Sequence, residues 1–395
     1  MTPRRLLAAG LVLACAAQLA HAPRRGRLDA AAASGERIEV LTLNVWHGLR
    51  GEISWRLPGE EATRRERRIE LQLEQLGSID ADLLLLQELN PAGEMARHYA
   101  SALGYEEIHH VASCGLGVRP LKVPVNISSG VAILARPGLG LKRVRGIRLS
   151  GPPACIGDRL GVQLAETRVA LLGSIRFAGR SLLVAVVHLH AGTAGGARYR
   201  DGLAELARQG VLSPVEHSDL LAALDGHAER RQHETGRLLG EIERHTRSGR
   251  YAGLILGGDL NAEPDSAVLS ELAAAGLTTH LPMGNGIPLP TWDPQHNVDN
   301  VTIGGRPDSV SGPLGLLVAR SLEAARPRTI DYLLSAGALS GSQARIVLAT
   351  PQGRLYPSDH FGVAARLTPI WRRPPSPSGA GASHEQERPS ALDSL

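Results

Sequence analysis

The chain has 395 residues, 43% hydrophobic and 21% charged, which excludes a disordered or collagen-like polymer and fits a folded protein of one to three domains. A core of ordinary size forms at this length without disulfides or a structural metal, so metal ligands, where found, are read as functional. The formal net charge of +4 is too small to indicate a nucleic-acid-binding protein by itself.

The first element is a leader. Arg4 and Arg5 precede an apolar run from Leu6 to Ala20 that closes on Ala20-His21-Ala22, the three parts of a secretory signal peptide. We therefore expect residues 1–22 to be cleaved, 23–36 to form a linker, and the mature chain to be secreted or periplasmic. The run is shorter than the roughly 20 residues a membrane-spanning helix requires. Ala14-Cys15 offers a second processing site that would leave the chain lipid-anchored through Cys15. Removal of the leader takes away Arg4 and Arg5, leaving 41 basic against 39 acidic residues, a net of +2. It also leaves two cysteines, Cys114 and Cys155, expected to pair in an oxidising compartment; two unpaired buried thiols are the alternative.

From Arg37 short β-like runs alternate with amphipathic stretches. Ile38–Leu43 is a predicted strand ending at Asn44. Glu60–Leu76 carries Ile69, Leu73 and Leu76 on a helical period, and Ala81–Leu86 is an apolar strand ending at Gln87-Glu88. Further strands are predicted at Gly130–Ala135, Val169–Phe177, Ser181–Val187, Gly253–Gly257, Thr329–Leu334, Ala344–Leu348 and Phe361–Leu367, and a helix over Pro214–Arg247. The alternation predicts strands packed in two layers with helices outside, as one domain over residues 37–370. Residues 371–395 turn to Pro, Ser, Gly and Ala and read as a disordered tail.

Polar residues recur at the ends of these strands: Asn44, Glu88, His188, Asp259 with Asn261, Asp331, and Asp359-His360. Carboxylates and amide carbonyls are hard donors suited to Mg²⁺ or Mn²⁺, which commonly bind phosphate oxygens alongside one or two protein carboxylates. Histidines exchange protons near neutral pH, and a carboxylate partner fixes their tautomer. Close Cys/His zinc spacings, a Gly-Lys-Ser/Thr phosphate loop and a Gly-x-Ser-x-Gly elbow are all missing from the sequence. The combination points to hydrolysis of a phosphate ester.

In order, Thr42-Leu43-Asn44-Val45-Trp46, Leu86-Gln87-Glu88-Leu89, His188-Leu189-His190-Ala191, Gly258-Asp259-Leu260-Asn261, Ile330-Asp331-Tyr332 and Ser358-Asp359-His360 resemble the motifs of the endonuclease/exonuclease/phosphatase superfamily. Several resemble its neutral and bacterial sphingomyelinase branch, as does Thr291-Trp292-Asp293-Pro294. The resemblance implies an α/β fold, a four-layer α/β/β/α sandwich of two packed mixed β-sheets flanked by helices. It further implies one or two Mg²⁺ (or Mn²⁺) ions held by Glu88, Asn44 and Asp359, with Asp259 and Asn261 on the attacking water, the phosphate or a second metal. His360, oriented by Asp331, and His188 would be the acid–base pair, with their division of roles left open. His190 is a substrate-binding or supporting residue, since alternation puts it on the face of His188. Trp292 is either a packing lid or a wall of the substrate cleft, where a cation would sit over its ring. His217, His227, His233 and His245 are expected to be solvated on the long helix.

The expected partner is a phosphoester, foremost a membrane sphingolipid, met by a monomer. Pro137-Gly138-Leu139-Gly140-Leu141 with Lys142, Arg143 and Arg145 is the one segment that could present leucines and positive charge to lipid, although an ordinary turn is preferred. A secreted DNase, which would need a cationic groove, is the rival. A sugar or inositol phosphate phosphatase and a catalytically dead binding protein follow.

Overall fold

The computed structural model describes residues 37–48, 60–112, 117–118, 129–151, 160–161, 167–192, 196–297, 326–342 and 344–371. The expected signal peptide, linker, Cys15, Cys114, Cys155 and residues 372–395 lie outside the described residues.

In chain order the elements are β1 (Ile38–Asn44), α1 (Ala62–Ile79), β2 (Leu83–Leu89), α2 (Ala92–Leu103), β3 (Glu106–Val111), β4 (Gly117–Val118), β5 (Gly130–Ala135), β6 (Lys142–Ser150), β7 (Leu160–Gly161), β8 (Arg168–Phe177) and β9 (Arg180–His188). Then come α3 (Ala197–Arg208), α4 (Pro214–Thr246), β10 (Gly253–Asp259), α5 (Ala267–Ala274), β11 (Thr278–His280), β12 (Met283–Gly284), β13 (Ile287–Pro288), β14 (Asp331–Gly337), β15 (Leu339–Gly341), β16 (Arg345–Val347) and β17 (Gly362–Pro369).

Two large sheets result. One runs β15-β17-β1-β2-β5-β3, with β16 also on β17; the other runs β11-β14-β10-β9-β8-β6. Both are mixed: β1 is parallel to β2 and antiparallel to β17, and β10 is parallel to β9 and antiparallel to β14. Val40, Leu83, Leu85 and Ile133 of the first sheet pack on Val169, Val184, Val186, Ile255 and Leu333 of the second. The opposite faces are covered separately. Leu84, Leu86 and Ala132 meet Leu76 of α1 and Ala96 and Tyr99 of α2, while Leu183, Ala185 and Leu256 meet Leu238 and Ile242 of α4 and Leu272 of α5. This is the four-layer α/β/β/α sandwich. Strands buried on both faces need apolar residues at every position, which is why β2 and β9 read as unbroken apolar runs.

The long helix begins with a capping box, Ser213 with Glu216, and Pro214 in its first turn, a combination that sets a helix start locally. α1 ends where Asp80 turns left-handed, φ 55°, and its N–H bonds the Leu76 carbonyl. α2 escapes a sequence reading because its buried face is Ala92, Ala96 and Ala100 with the single aromatic Tyr99, which leaves no stripe of large aliphatic residues. β6 escapes because it is an edge strand with Lys142, Arg143, Arg145 and Arg148 exposed. The leucines of the 137–141 turn point inward: Leu139 is buried and Leu141 packs against the inter-sheet core, so this turn presents no leucines to lipid. No helix among the described residues is long and apolar enough to cross a membrane.

Candidate active site

Strand register brings the polar strand ends together. In the second sheet His188 pairs with Asp259 and Asp259 with Asp331, so three residues far apart in sequence become neighbours in one row. Gly258 makes the approach of β10 to β9 possible, since a Cβ there would lie 1.9 Å from the Val187 carbonyl oxygen. In the first sheet Asn44 pairs with Gln87. Strand alternation would send the next residue, Glu88, toward the helices with Leu84 and Leu86. A register irregularity between Leu86 and Leu89 and a left-handed Glu88, φ 60°, redirect it. Its carboxylate accepts from Asn44 Nδ2 at 3.1 Å and from the His47 N–H at 3.1 Å. A bulge that re-aims a strand-end side chain is a common feature beside active sites.

Asn44 joins the sheets. Its Nδ2 also donates to Asp259 Oδ2 at 3.2 Å, while its Oδ1 accepts from the Trp46 N–H. Asp259, 1% exposed, lies between two imidazoles, with His188 Nε2 at 3.4 Å and His360 Nε2 at 3.9 Å. His188 Nε2 is also 3.9 Å from Glu88 Oε1. Asn261, left-handed at φ 48°, donates from its backbone N–H to Asp259 Oδ1 at 2.9 Å and from Nδ2 to the Leu189 carbonyl at 3.1 Å.

His360 and Asp331 form a buried dyad, Nδ1 to Oδ2 at 2.8 Å, which leaves Nε2 facing Asp259. The segment from Thr291 to Asn297 clamps this dyad. Thr291 Oγ1 donates to Asp331 Oδ2 at 2.7 Å and accepts from the N–H groups of Ile330 and Asp331. The Thr291 carbonyl accepts from the Phe361 N–H, and Asn297 Nδ2 donates to the Ser358 carbonyl at 2.7 Å. Ser358 Oγ in turn donates to the Asn44 carbonyl at 2.6 Å and lies 3.2 Å from Asp359 Oδ1.

The charges explain the proton affinities. Burial raises the Glu88 carboxyl, but His47, His188 and the Asn44 hydrogen bond outweigh it and hold the group below the usual carboxylate range. Burial, reinforced by the charge of Asp331, pushes Asp259 up to about 7 despite His360. Asp359 is pushed up to about 6, chiefly by burial, with Glu88 adding to it. Burial disfavours the His360 cation, yet Asp331, Asp359 and Asp259 together raise this imidazole well above its ordinary value.

These residues fit a hard divalent cation. Among the described residues the ion-pair partners of Glu88, Asp259 and Asp331 are histidines, so carboxylates crowd together without a Lys or Arg between them. A cation would offset both the burial and the repulsion that raise Asp259 and Asp359. Ligand atoms of Asp259, Asp331 and His360 lie within 4.8 Å of one another. Asp331 Oδ2 already accepts from Thr291 and His360, so a cation that spares the dyad would meet this residue only through its buried Oδ1, which has no hydrogen-bond partner among the described residues. Glu88 and Asp259, with Asp359 beside them, form the set that leaves the dyad intact; Asn44, expected as a ligand, turns Nδ2 to these carboxylates and Oδ1 to the Trp46 N–H, so it braces them as a donor. Bound there, Mg²⁺ or Mn²⁺ supplies Lewis-acid neutralisation of phosphate charge.

Two expected site residues point elsewhere. β9 ends at His188, so the alternation that would put His190 on the same face does not continue. His190 Nε2 lies 2.8 Å from His227 Nδ1 on α4, and its N–H donates to Glu234 Oε2 at 2.7 Å. His227 is therefore half-buried and bonded, in contrast to the solvated residue expected. Trp292 is buried at 6% exposure, and the Arg328 guanidinium stacks 4.2 Å from its ring centroid; the chain's own cation occupies that ring face, which favours the packing lid. Sequence reasoning missed His47, whose Nε2 is 3.5 Å from Glu88 Oε2, and Thr291 as the anchor of Asp331. The Thr-Trp-Asp-Pro segment pointed to the right stretch but to its tryptophan.

The chain matches the endonuclease/exonuclease/phosphatase family model over residues 41–360. No functionally curated protein matches it significantly. Among solved structures, it is similar to an endonuclease/exonuclease/phosphatase family protein from Bacteroides thetaiotaomicron, at 15% identity and a TM-score of 0.50, covering 84% of this chain and 94% of that one. The human Nocturnin catalytic domain with bound sulfate follows at 19% identity and 0.47, covering 84% and 93%. A mannosyl-6-phosphatase of Bacteroides thetaiotaomicron stands at 14% and 0.49, covering 84% and 99%. With 320 consecutive positions spanned by the family model and the sandwich in place, the chain belongs to the endonuclease/exonuclease/phosphatase family.

Proposed function

We propose that the protein is an exported, divalent-cation-dependent phosphodiesterase of sphingomyelinase-like phospholipase C type. The observation that carries the phosphoesterase reading is Asp259 held between His188 and His360, with Glu88 and Asn44 closing the cluster. His360, with Nδ1 committed to Asp331, takes a proton from the attacking water at Nε2 in its neutral form, a form that the surrounding carboxylates disfavour and that a cation offsetting their charge would restore. Asp259 and Asn261 orient that water, and His188 steadies or protonates the departing oxygen. Water oxygen bonds to phosphorus, the bond to the ceramide oxygen breaks, that oxygen receives a proton, and phosphocholine is released. Positioning and charge neutralisation dominate such a transfer.

The sphingolipid reading is supported by the Thr42–Trp46, His188–Ala191 and Thr291–Pro294 segments, and the export reading by residues 1–22. Purified protein with Mg²⁺ is to be offered sphingomyelin liposomes, plasmid DNA and a sugar phosphate, with Glu88→Gln and His360→Ala as controls. Phosphocholine release by wild type alone is expected. Activity confined to DNA or to the monoester removes the lipid assignment, and full activity in both variants removes the catalytic one. Amino-terminal sequencing of exported protein should begin after Ala22; an intact Met1 in the cytosol would refute export.

A further inference from the structure

The row of site residues continues to the sheet edge. Asp331, Asp259 and His188 are followed by Val169 and then Arg148 as successive register partners, the β6–β8 pairing shifting just beyond Arg148. Arg148 is therefore two strands from His188, roughly 10 Å at the usual strand spacing. It borders a cleft of about 420 Å³ lined by Arg145, Gly146, Arg148, Arg237, Glu241 and His110, where β6, α4 and β3 meet. Arg148 and Arg237 are exposed, and no carboxylate lies within ion-pair distance of either among the described residues. Arg145 Nε is 3.7 Å from Glu241 Oε2, and Glu241 is shared with Arg244 at 3.0 Å. The cleft is thus bordered by three arginines and one carboxylate that is already engaged.

We propose that this cleft binds a phosphate-class oxyanion, presented by the molecule or surface that carries the scissile ester. Guanidinium forks match phosphate oxygens bidentately, and two of these forks have no internal partner. The floor of the cleft agrees in sign: burial first, then the charges of Arg143 and His109, hold the His110 imidazole down to about 4. Protection of an edge strand would account for the charges of β6; it does not account for Arg237, which comes from a helix, or for the concavity. The site does not depend on which ester is hydrolysed, and its readouts are binding, not turnover.

Full-length protein at low salt and without divalent cation is to be titrated with inorganic phosphate, followed by ³¹P line broadening, and pelleted with phosphatidylcholine vesicles with and without phosphatidylglycerol. Arg148→Glu/Arg237→Glu should weaken binding about tenfold, while Arg208→Glu/Arg250→Glu, of equal charge change, should bind as wild type does. Thermal melts of both double variants establish that they are folded. Loss in the phosphate arm identifies a small phosphoester as the source, and loss confined to phosphatidylglycerol vesicles identifies a lipid headgroup. Equal behaviour of wild type and Arg148→Glu/Arg237→Glu in both arms overturns the proposal. So does an effect seen only when a single-stranded oligonucleotide is titrated as a third arm, which would mark a nucleic-acid groove instead.

Discussion

Thr291 contributes no group to the reacting centre, yet its hydroxyl accepts two backbone N–H bonds and donates to Asp331. Removing it frees Asp331 to rotate away from His360. Thr291→Val should therefore lower kcat about tenfold or more with little change in KM and a displaced pH profile, while Thr291→Ser restores both. An unaltered profile in Thr291→Val would deny the positioning role. A second expectation concerns Asp259 and Asp359, pushed up to about 7 and about 6. A cation among Glu88, Asp259 and Asp359 must displace the protons of the two aspartates. Calorimetry of Mn²⁺ binding in buffers of different ionisation enthalpy should show proton release, and affinity that rises as pH goes from about 5 to 7. Binding that is independent of pH, or unaffected by Glu88→Gln, contradicts the ligand set.

At the scale of elements, local chemistry and packing divide the structure. The start of α4 is local: Ser213→Ala removes one half of the capping box and should cost about 1 kcal/mol in urea unfolding. The pairing of β10 with β9 is not local. Gly258→Ala would force a Cβ to within 1.9 Å of the Val187 carbonyl, so the strands must part. We expect a stability loss on the order of 1–3 kcal/mol or more, with weakened Mn²⁺ binding because Asp259 leaves the side of His188. Helices with a leucine stripe or a cap are legible in sequence, as in α1 and α4. Those packed through alanine, such as α2, and strands whose charge reflects an edge position, such as β6, are not.

Across the whole molecule, the two sheets share a single core, and the site lies where their rims meet. Leu85 faces that core at 0% exposure; Leu85→Ala should cost about 2–5 kcal/mol, a loss that thermal denaturation would register. His110 sits where the edge strands of the two sheets approach, and its affinity for protons is lowered from 6.5 to about 4. Between those values the unfolded chain binds more protons than the folded one, so this group's contribution falls as pH falls. The difference in Tm between wild type and His110→Asn should accordingly shift against wild type as pH goes from about 6.5 to about 4; a constant difference would contradict the shift.

Sequence alone determined the central strands of both sheets, helices α1 and α4, and the inventory of Asn44, Glu88, His188, Asp259, Asn261, Asp331 and His360. Hydrophobic period and strand-end chemistry are local properties and can be read in one dimension. Their order along the chain also carried the family resemblance that the match over residues 41–360 bears out. Only the tertiary structure decided which of them meet. The register of β9, β10 and β14 sets His188, Asp259 and Asp331 in one row. A bulge turns Glu88 toward Asn44, and the end of β9 sends His190 to α4 instead. Trp292 packs under Arg328, while its neighbour Thr291 holds the dyad. Register, bulges and strand ends depend on which segments pair across tens or hundreds of residues, and side-chain periodicity within a segment does not encode that choice.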